Sequence, residues 1–164
     1  MNFTFKAINL RKVIRFILAV ILPLAVGFLS QYFAGGTELY SAVIKPPLSP
    51  PPIVFPIVWT ILYILMGIAS FIIYEKGWVK DYVRNAISFY LLQLFVNFLW
   101  SIVFFRFEMF FAAFWVLLLL WVLVGITAAK FYRICHVAGI LLIPYWLWCT
   151  FALYLNFGIW ILNR

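Results

Sequence analysis

Five long apolar windows limit this chain more than any other feature. They run over about 15–33, 53–74, 86–105, 109–129 and 137–161. A hydrocarbon core about 30 Å thick, crossed at ~1.5 Å per residue, needs roughly 20 apolar residues in a row, and each window meets that demand. In lipid every backbone N–H and C=O must find its partner within the segment or in a closed barrel. Long apolar runs without two-residue alternation take the helical solution. The predicted fold is therefore all-α and integral to the membrane, a bundle of five transmembrane helices forming one domain over 1–164. Lys6, Arg11, Lys12 and Arg15 precede the first window as they would in a secretory signal. Its length and the four windows after it predict a retained helix instead.

The charge pattern supports the same picture. Only 10% of the 164 residues are charged, against 68% hydrophobic, and the +8 net charge sits at the edges of the apolar runs. That distribution predicts contact with lipid headgroups. A nucleic-acid partner is not expected, because basic residues are nowhere clustered with aromatic ones into a groove. Nine of the Lys and Arg residues (Lys6, Arg11, Lys12, Arg15, Lys76, Lys80, Arg84, Lys130, Arg133) fall on one side of the expected topology, and three (Lys45, Arg106, Arg164) on the other. By the positive-inside rule the N-terminus faces the cytoplasm, as in a bacterial cell membrane. Lys130, Arg133 and His136 form the polar break expected between the last two spans.

Conventional catalysis finds little to work with. Glu38, Glu75, Asp81 and Glu108 all fall in loops or at helix ends, so no paired carboxylate or triad can be assembled. Cys135, Cys149 and His136 are too few for a metal site or a disulfide framework, and neither a metal nor a cofactor is expected.

Polar residues inside the spans carry more information, since in lipid they turn toward partners or a cavity. Gln93, Asn97 and Ser101 recur at four-residue steps with Trp100 beside them. Tyr145, Cys149, Ala152 and Asn156 recur at steps of four, three and four next to Trp148. Either the two stripes hydrogen-bond helix to helix, or with Trp59 they line a cavity suited to a flat apolar ligand with a few acceptors. Trp78 and Trp160 fit a headgroup-level aromatic belt, whereas Trp59, Trp100, Trp115, Trp121, Trp146 and Trp148 fall within the spans. Pro23 and Pro144 lie inside spans one and five, where each can kink its helix. The one long connection, 35–52, reads GGTELYSAVIKPPLSPPP; its five prolines predict a stiff, extended excursion that serves as a lid or a plain crossover.

These stretches resemble a known family. Residues 40–63, YSAVIKPPLSPPPIVFPIVWTILY, are similar to the first loop and second helix of the TspO/MBR family of tryptophan-rich sensory and translocator proteins. QLFVNFLWSIVFF (93–105) and LLIPYWLWCTFALYLN (141–156) resemble its third and fifth helices. The resemblance implies a five-helix bundle, commonly a homodimer, whose pocket beneath the first loop binds porphyrins such as protoporphyrin IX. By motif match Trp59, Asn97, Tyr145, Trp148 and Ala152 would line that pocket, with Gln93 and Trp100 beside them and Tyr40, Pro46 and Pro47 reaching in from the loop. Relatives also bind cholesterol, but the stretch after Asn156 reads FGIWILNR and lacks the Tyr followed by a basic residue that the sterol motif requires. The implied function is a tetrapyrrole sensor or receptor. Transport of such a ligand, or its light-dependent breakdown with Trp59 and Trp148 as oxidisable rings, are the alternatives.

Overall fold

The computed structural model describes residues 9–35 and 38–164, residue 38 by its backbone alone. Lys6, Gly36 and Thr37, placed above in the basic N-terminal segment and the long loop, lie outside the described residues. The helices are α1 (Leu10–Ala34), α2 (Glu38–Ala42), α3 (Val54–Tyr74), α4 (Asp81–Ser101, continued by a π-turn over Ile102–Arg106), α5 (Phe110–Ile134), α6 (His136–Ile140) and α7 (Ile143–Leu162). Among the described residues five segments are long and apolar enough to cross a membrane: Leu10–Ala34, Val54–Tyr74, Asp81–Arg106, Phe110–Ile134 and His136–Leu162.

Apart from α3, the spans extend past their apolar windows at one or both ends, where polar residues fall in or next to the terminal turns. Asn9 starts α1, its side-chain oxygen accepting from the Lys12 N–H at 3.4 Å, and Gly35 ends it in the left-handed conformation at φ 83°. Asp81 sits in the first turn of α4 beside the positive end of the helix dipole and pairs with Arg84. The expected polar break after residue 129 is not a loop. Lys130 and Arg133 belong to the last turns of α5, where cations suit the helix C-terminus, and Lys130 Nζ donates to Asn85 Oδ1 at 2.6 Å.

A second difference concerns Pro144. The fifth span is two helices, α6 and α7, broken at Leu141–Leu142, and Pro144 lies in the first turn of α7. Its missing N–H is one that a helix start leaves unpaired in any case, so it begins a helix and kinks none. Pro23 does lie within α1.

Around the bundle the order is α3, α1, α4, α5, α7. The backbones of α1 and α3 approach closely at Gly67: a Cβ there would stand 2.5 Å from Val20 Cα. The ring closes only loosely between α3 and α7, though α6 packs on α3 at one end. The core centres on α5, where Ala113, Leu117, Leu120 and Phe131 are fully buried with Met66 and Ile73 of α3 and Val83 of α4. The basic end of the bundle is tied by Glu75, which meets Arg15 at 3.3 Å and Lys12 at 3.9 Å.

Candidate functional site

The inward polar residues of α4 and α7 meet at mid-bundle in one directional chain of hydrogen bonds. The Tyr63 hydroxyl donates to Asn97 Oδ1 at 3.1 Å. Asn97 Nδ2 donates to the Tyr145 hydroxyl at 2.9 Å, and that hydroxyl donates to Gln93 Oε1 at 3.0 Å. Gln93, Asn97 and Tyr145 are each buried to 1% exposure or less. An amide in this setting costs several kcal/mol if left unpaired, so three helices are held in register by one network. A second link runs from Trp100 Nε1 to Asn156 Oδ1 at 3.2 Å and from Asn156 Nδ2 to the Phe110 carbonyl at 2.9 Å.

Trp59 packs against this network and turns the other way into a cavity. Its ring stacks on Tyr63 (centroids 5.4 Å), meets Tyr145 edge-on (5.9 Å) and lies 6.3 Å from Trp100. The cavity, of about 310 Å³, lies between α1, α3 and the end of α4. Its walls include Trp59, Tyr63, Trp100, Phe55, Phe105 and Ser30. Phe105 reaches it because the π-turn adds a residue to the last turn of α4 and re-aims its side chains. Ser30 is 2% exposed and its hydroxyl has no hydrogen-bond partner among the described residues. An unpaired hydroxyl among stacked rings suits a flat ligand that carries a few polar groups.

The long connection covers this end of the bundle. It is not extended throughout: α2 occupies Glu38–Ala42, and Lys45 Nζ caps it by donating to the Tyr40 and Val43 carbonyls at 2.9 and 3.3 Å. Tyr40 packs on Phe55 (4.7 Å) and donates to the Pro50 carbonyl at 3.1 Å. Burial pushes the Tyr40 phenol above its ordinary value, which keeps it a donor. Pro46 is buried against Gly158, where a Cβ would meet its ring at 2.6 Å. Pro47 is exposed and takes part through its carbonyl, which accepts from the Tyr154 hydroxyl at 2.8 Å.

The ten residues singled out from the sequence thus fall into four places. Trp59 and Trp100 line the cavity, and Gln93, Asn97 and Tyr145 stand behind its aromatic wall. Tyr40, Pro46 and Pro47 belong to the cover. Trp148 is elsewhere: with Val58, Leu62 and Phe151 it lines a separate cleft of about 450 Å³ at the loose seam between α3 and α7. It touches Phe55 at 6.0 Å, its indole N–H is unpartnered among the described residues, and Ala152 is buried nearby on the same helix. The contribution of α1 was missed in the sequence. Gly27, Ser30 and Gln31 line the cavity at i, i+3, i+4 spacing, a small-and-polar face that was there to be found. Tyr63 was missed too, although it follows Trp59 by one helical turn.

Comparison with known proteins agrees with this architecture. The model of the TspO/MBR family matches residues 19–161. The tryptophan-rich protein TspO of Chlorobaculum tepidum is 37% identical over 155 residues, 93% of this chain and 98% of the relative. TspO of Archaeoglobus fulgidus is 38% identical over 157 residues, 94% and 99% of the two chains. The translocator protein of Ovis aries is 34% identical over 144 residues, 85% of each. With five apolar helices in a bundle and matches that run nearly end to end, the chain is an integral membrane protein and belongs to the TspO/MBR family.

Proposed function

We propose that this protein is a membrane receptor for tetrapyrroles, with the ligand seated against Trp59 beneath the proline-rich cover. The observation that carries this reading is the aromatic wall of Trp59, Tyr63 and Trp100 facing the unpaired Ser30 hydroxyl across one cavity. Rings on one side favour a planar conjugated ligand, and the hydroxyl supplies one directional contact. At about 310 Å³ the cavity is at the small end for organic ligands, so a macrocycle must lift the cover to enter fully. Relatives named tryptophan-rich sensory protein and translocator protein fit a sensor or receptor role.

The proposal includes a homodimer in a bacterial cell membrane with a cytoplasmic N-terminus. The orientation rests on the end of the bundle that carries Lys12, Arg15, Lys76, Lys80, Arg84, Lys130 and Arg133.

The test is a dark titration of purified protein with protoporphyrin IX, read as the shift of the porphyrin's main absorption band. Saturable binding is expected, weakened at least about tenfold in a Trp59→Leu, Ser30→Leu variant. Absence of saturation, or wild-type affinity in that variant, overturns the site. A light-dependent reading is favoured by one observation: Trp59 places an oxidisable indole on the cavity wall, while Trp148 stands behind Phe55 in the separate cleft. Repeating the titration under illumination distinguishes it: breakdown by the protein requires that porphyrin be lost faster with protein than in detergent alone under the same light.

A further inference from the structure

A second cleft, at the basic end of the bundle and remote from Trp59, has the features of a lipid site. It lies between α1, α3 and α4, has a volume of about 290 Å³, and is lined by Arg15, Leu18, Leu22, Ser70, Tyr74 and Tyr90 among others. Tyr90 is 1% exposed, and its hydroxyl has no hydrogen-bond partner among the described residues. Ser70 lies beside it: its hydroxyl donates to the Gly67 carbonyl at 2.9 Å, and its oxygen, which can still accept, is near the phenol without a well-formed bond to it. The ring is fixed from behind by Phe131, at 5.9 Å. A buried phenol without a well-formed bond is costly in hydrocarbon, and a carbonyl acceptor arriving from outside would satisfy it better than the serine oxygen does.

Depth and charge identify the visitor. Ser70 is four residues from the end of α3 at Tyr74, or about 6 Å below it, so the Tyr90 hydroxyl beside it lies just under the headgroup level. That is where the ester carbonyls of a glycerophospholipid sit relative to its phosphate. At the mouth, Arg15 and Lys12 face the single carboxylate of Glu75, which leaves one positive charge in excess. Arg15 also lies over the Tyr74 ring at 5.8 Å. Leu18 and Leu22, exposed on α1, continue the cleft along the path of an acyl chain.

We propose that this cleft is a binding site for an anionic phospholipid, its phosphate at Arg15 and Lys12, an ester carbonyl accepting from the Tyr90 hydroxyl, and an acyl chain along α1. The site is independent of the tetrapyrrole reading.

The experiment reconstitutes the full chain in vesicles of phosphatidylcholine containing phosphatidylglycerol, extracts it in mild detergent, and weighs the retained lipid by native mass spectrometry. Wild type retains phosphatidylglycerol in preference to phosphatidylcholine. Arg15→Ala removes the headgroup preference. Tyr90→Phe, which keeps the ring and its packing, lowers retention of diester phosphatidylglycerol about threefold to tenfold and leaves retention of the diether analogue, which has no carbonyls, unchanged. Equal retention of the two headgroups by wild type overturns the proposal, as does wild-type retention in both variants. A free fatty acid displacing the phospholipid at equal concentration also overturns it, since the occupant is then a carboxylate and not an ester lipid.

Discussion

Asn163 clasps the backbone of Ile44 at both ends of one residue: its Oδ1 accepts from the Ile44 N–H at 3.0 Å and its Nδ2 donates to the Ile44 carbonyl at 2.8 Å. Asn163, the C-cap of α7, thereby latches the proline-rich cover, and the Tyr154 hydroxyl on the Pro47 carbonyl adds a second catch. Ile44 supplies the pairing because the prolines that follow it have no N–H to offer.

The latch predicts the mobility of the cover. Asn163→Ala combined with Tyr154→Phe removes the three hydrogen bonds that reach the cover, each contributing about 0.5–1.5 kcal/mol net, together with the Asn163 bond to the Ile159 carbonyl within α7. Amide exchange at Ile44, followed by deuterium uptake, should accelerate at least about tenfold while exchange in α5 stays unchanged. Wild-type protection at Ile44 in that variant would show that other contacts hold the cover.

The buried chain Tyr63, Asn97, Tyr145, Gln93 predicts coupled stability. Asn97→Leu strips Tyr63 of its acceptor and Tyr145 of a donor, at a cost of about 1–3 kcal/mol. A double-mutant cycle of Asn97→Leu with Tyr145→Phe, followed by thermal unfolding in detergent, should give a coupling of about 0.6–1.7 kcal/mol. Strict additivity of the two substitutions is the outcome that sinks this account.

Ser30 separates cavity shape from cavity chemistry. Ser30→Ala removes a buried hydroxyl with no partner and should leave the unliganded protein as stable or up to about 1 kcal/mol more stable. Ser30→Leu fills the cavity instead, and should weaken porphyrin binding more than Ser30→Ala does. Binding that is indifferent to both changes would place the ligand elsewhere.

Gly67 sets the spacing of α1 and α3. A Cβ there would stand 2.5 Å from Val20 Cα and 2.8 Å from the Ala19 carbonyl oxygen, and backbone cannot yield as a flexible side chain can. Gly67→Val should lower stability by at least about 1–3 kcal/mol, read as a drop in Tm. An unchanged Tm would mean that the helices are farther apart than described.

Pro144 tests the break in the fifth span by the sign of its effect. At the start of α7, Pro144→Ala restores no missing bond and loosens the unfolded chain, so stability should fall by up to about 1 kcal/mol. A gain approaching about 3 kcal/mol would instead indicate a proline within one continuous helix.

The sequence alone determined that this chain crosses a membrane as five helices, because the length and apolarity of each run are local properties and a bilayer accepts few other backbone solutions. It also showed which faces of α4 and α7 turn inward, since Gln93, Asn97, Tyr145 and Asn156 repeat at helical spacing and polar groups avoid lipid. Only the tertiary structure decided what those faces meet. The four-residue spacing of Gln93 and Asn97 is the same whether the pair lines a cavity or bonds to Tyr145, and the packing chose the bond. Trp59 and Trp148 look alike in sequence, but α3 stands between two clefts and sends one ring to each. The roles of Ser30 and Tyr90 were out of reach for the same reason: whether a hydroxyl finds a partner depends on neighbouring helices brought close by packing, such as the approach of α1 and α3 at Gly67, and not on the residues beside it in the chain.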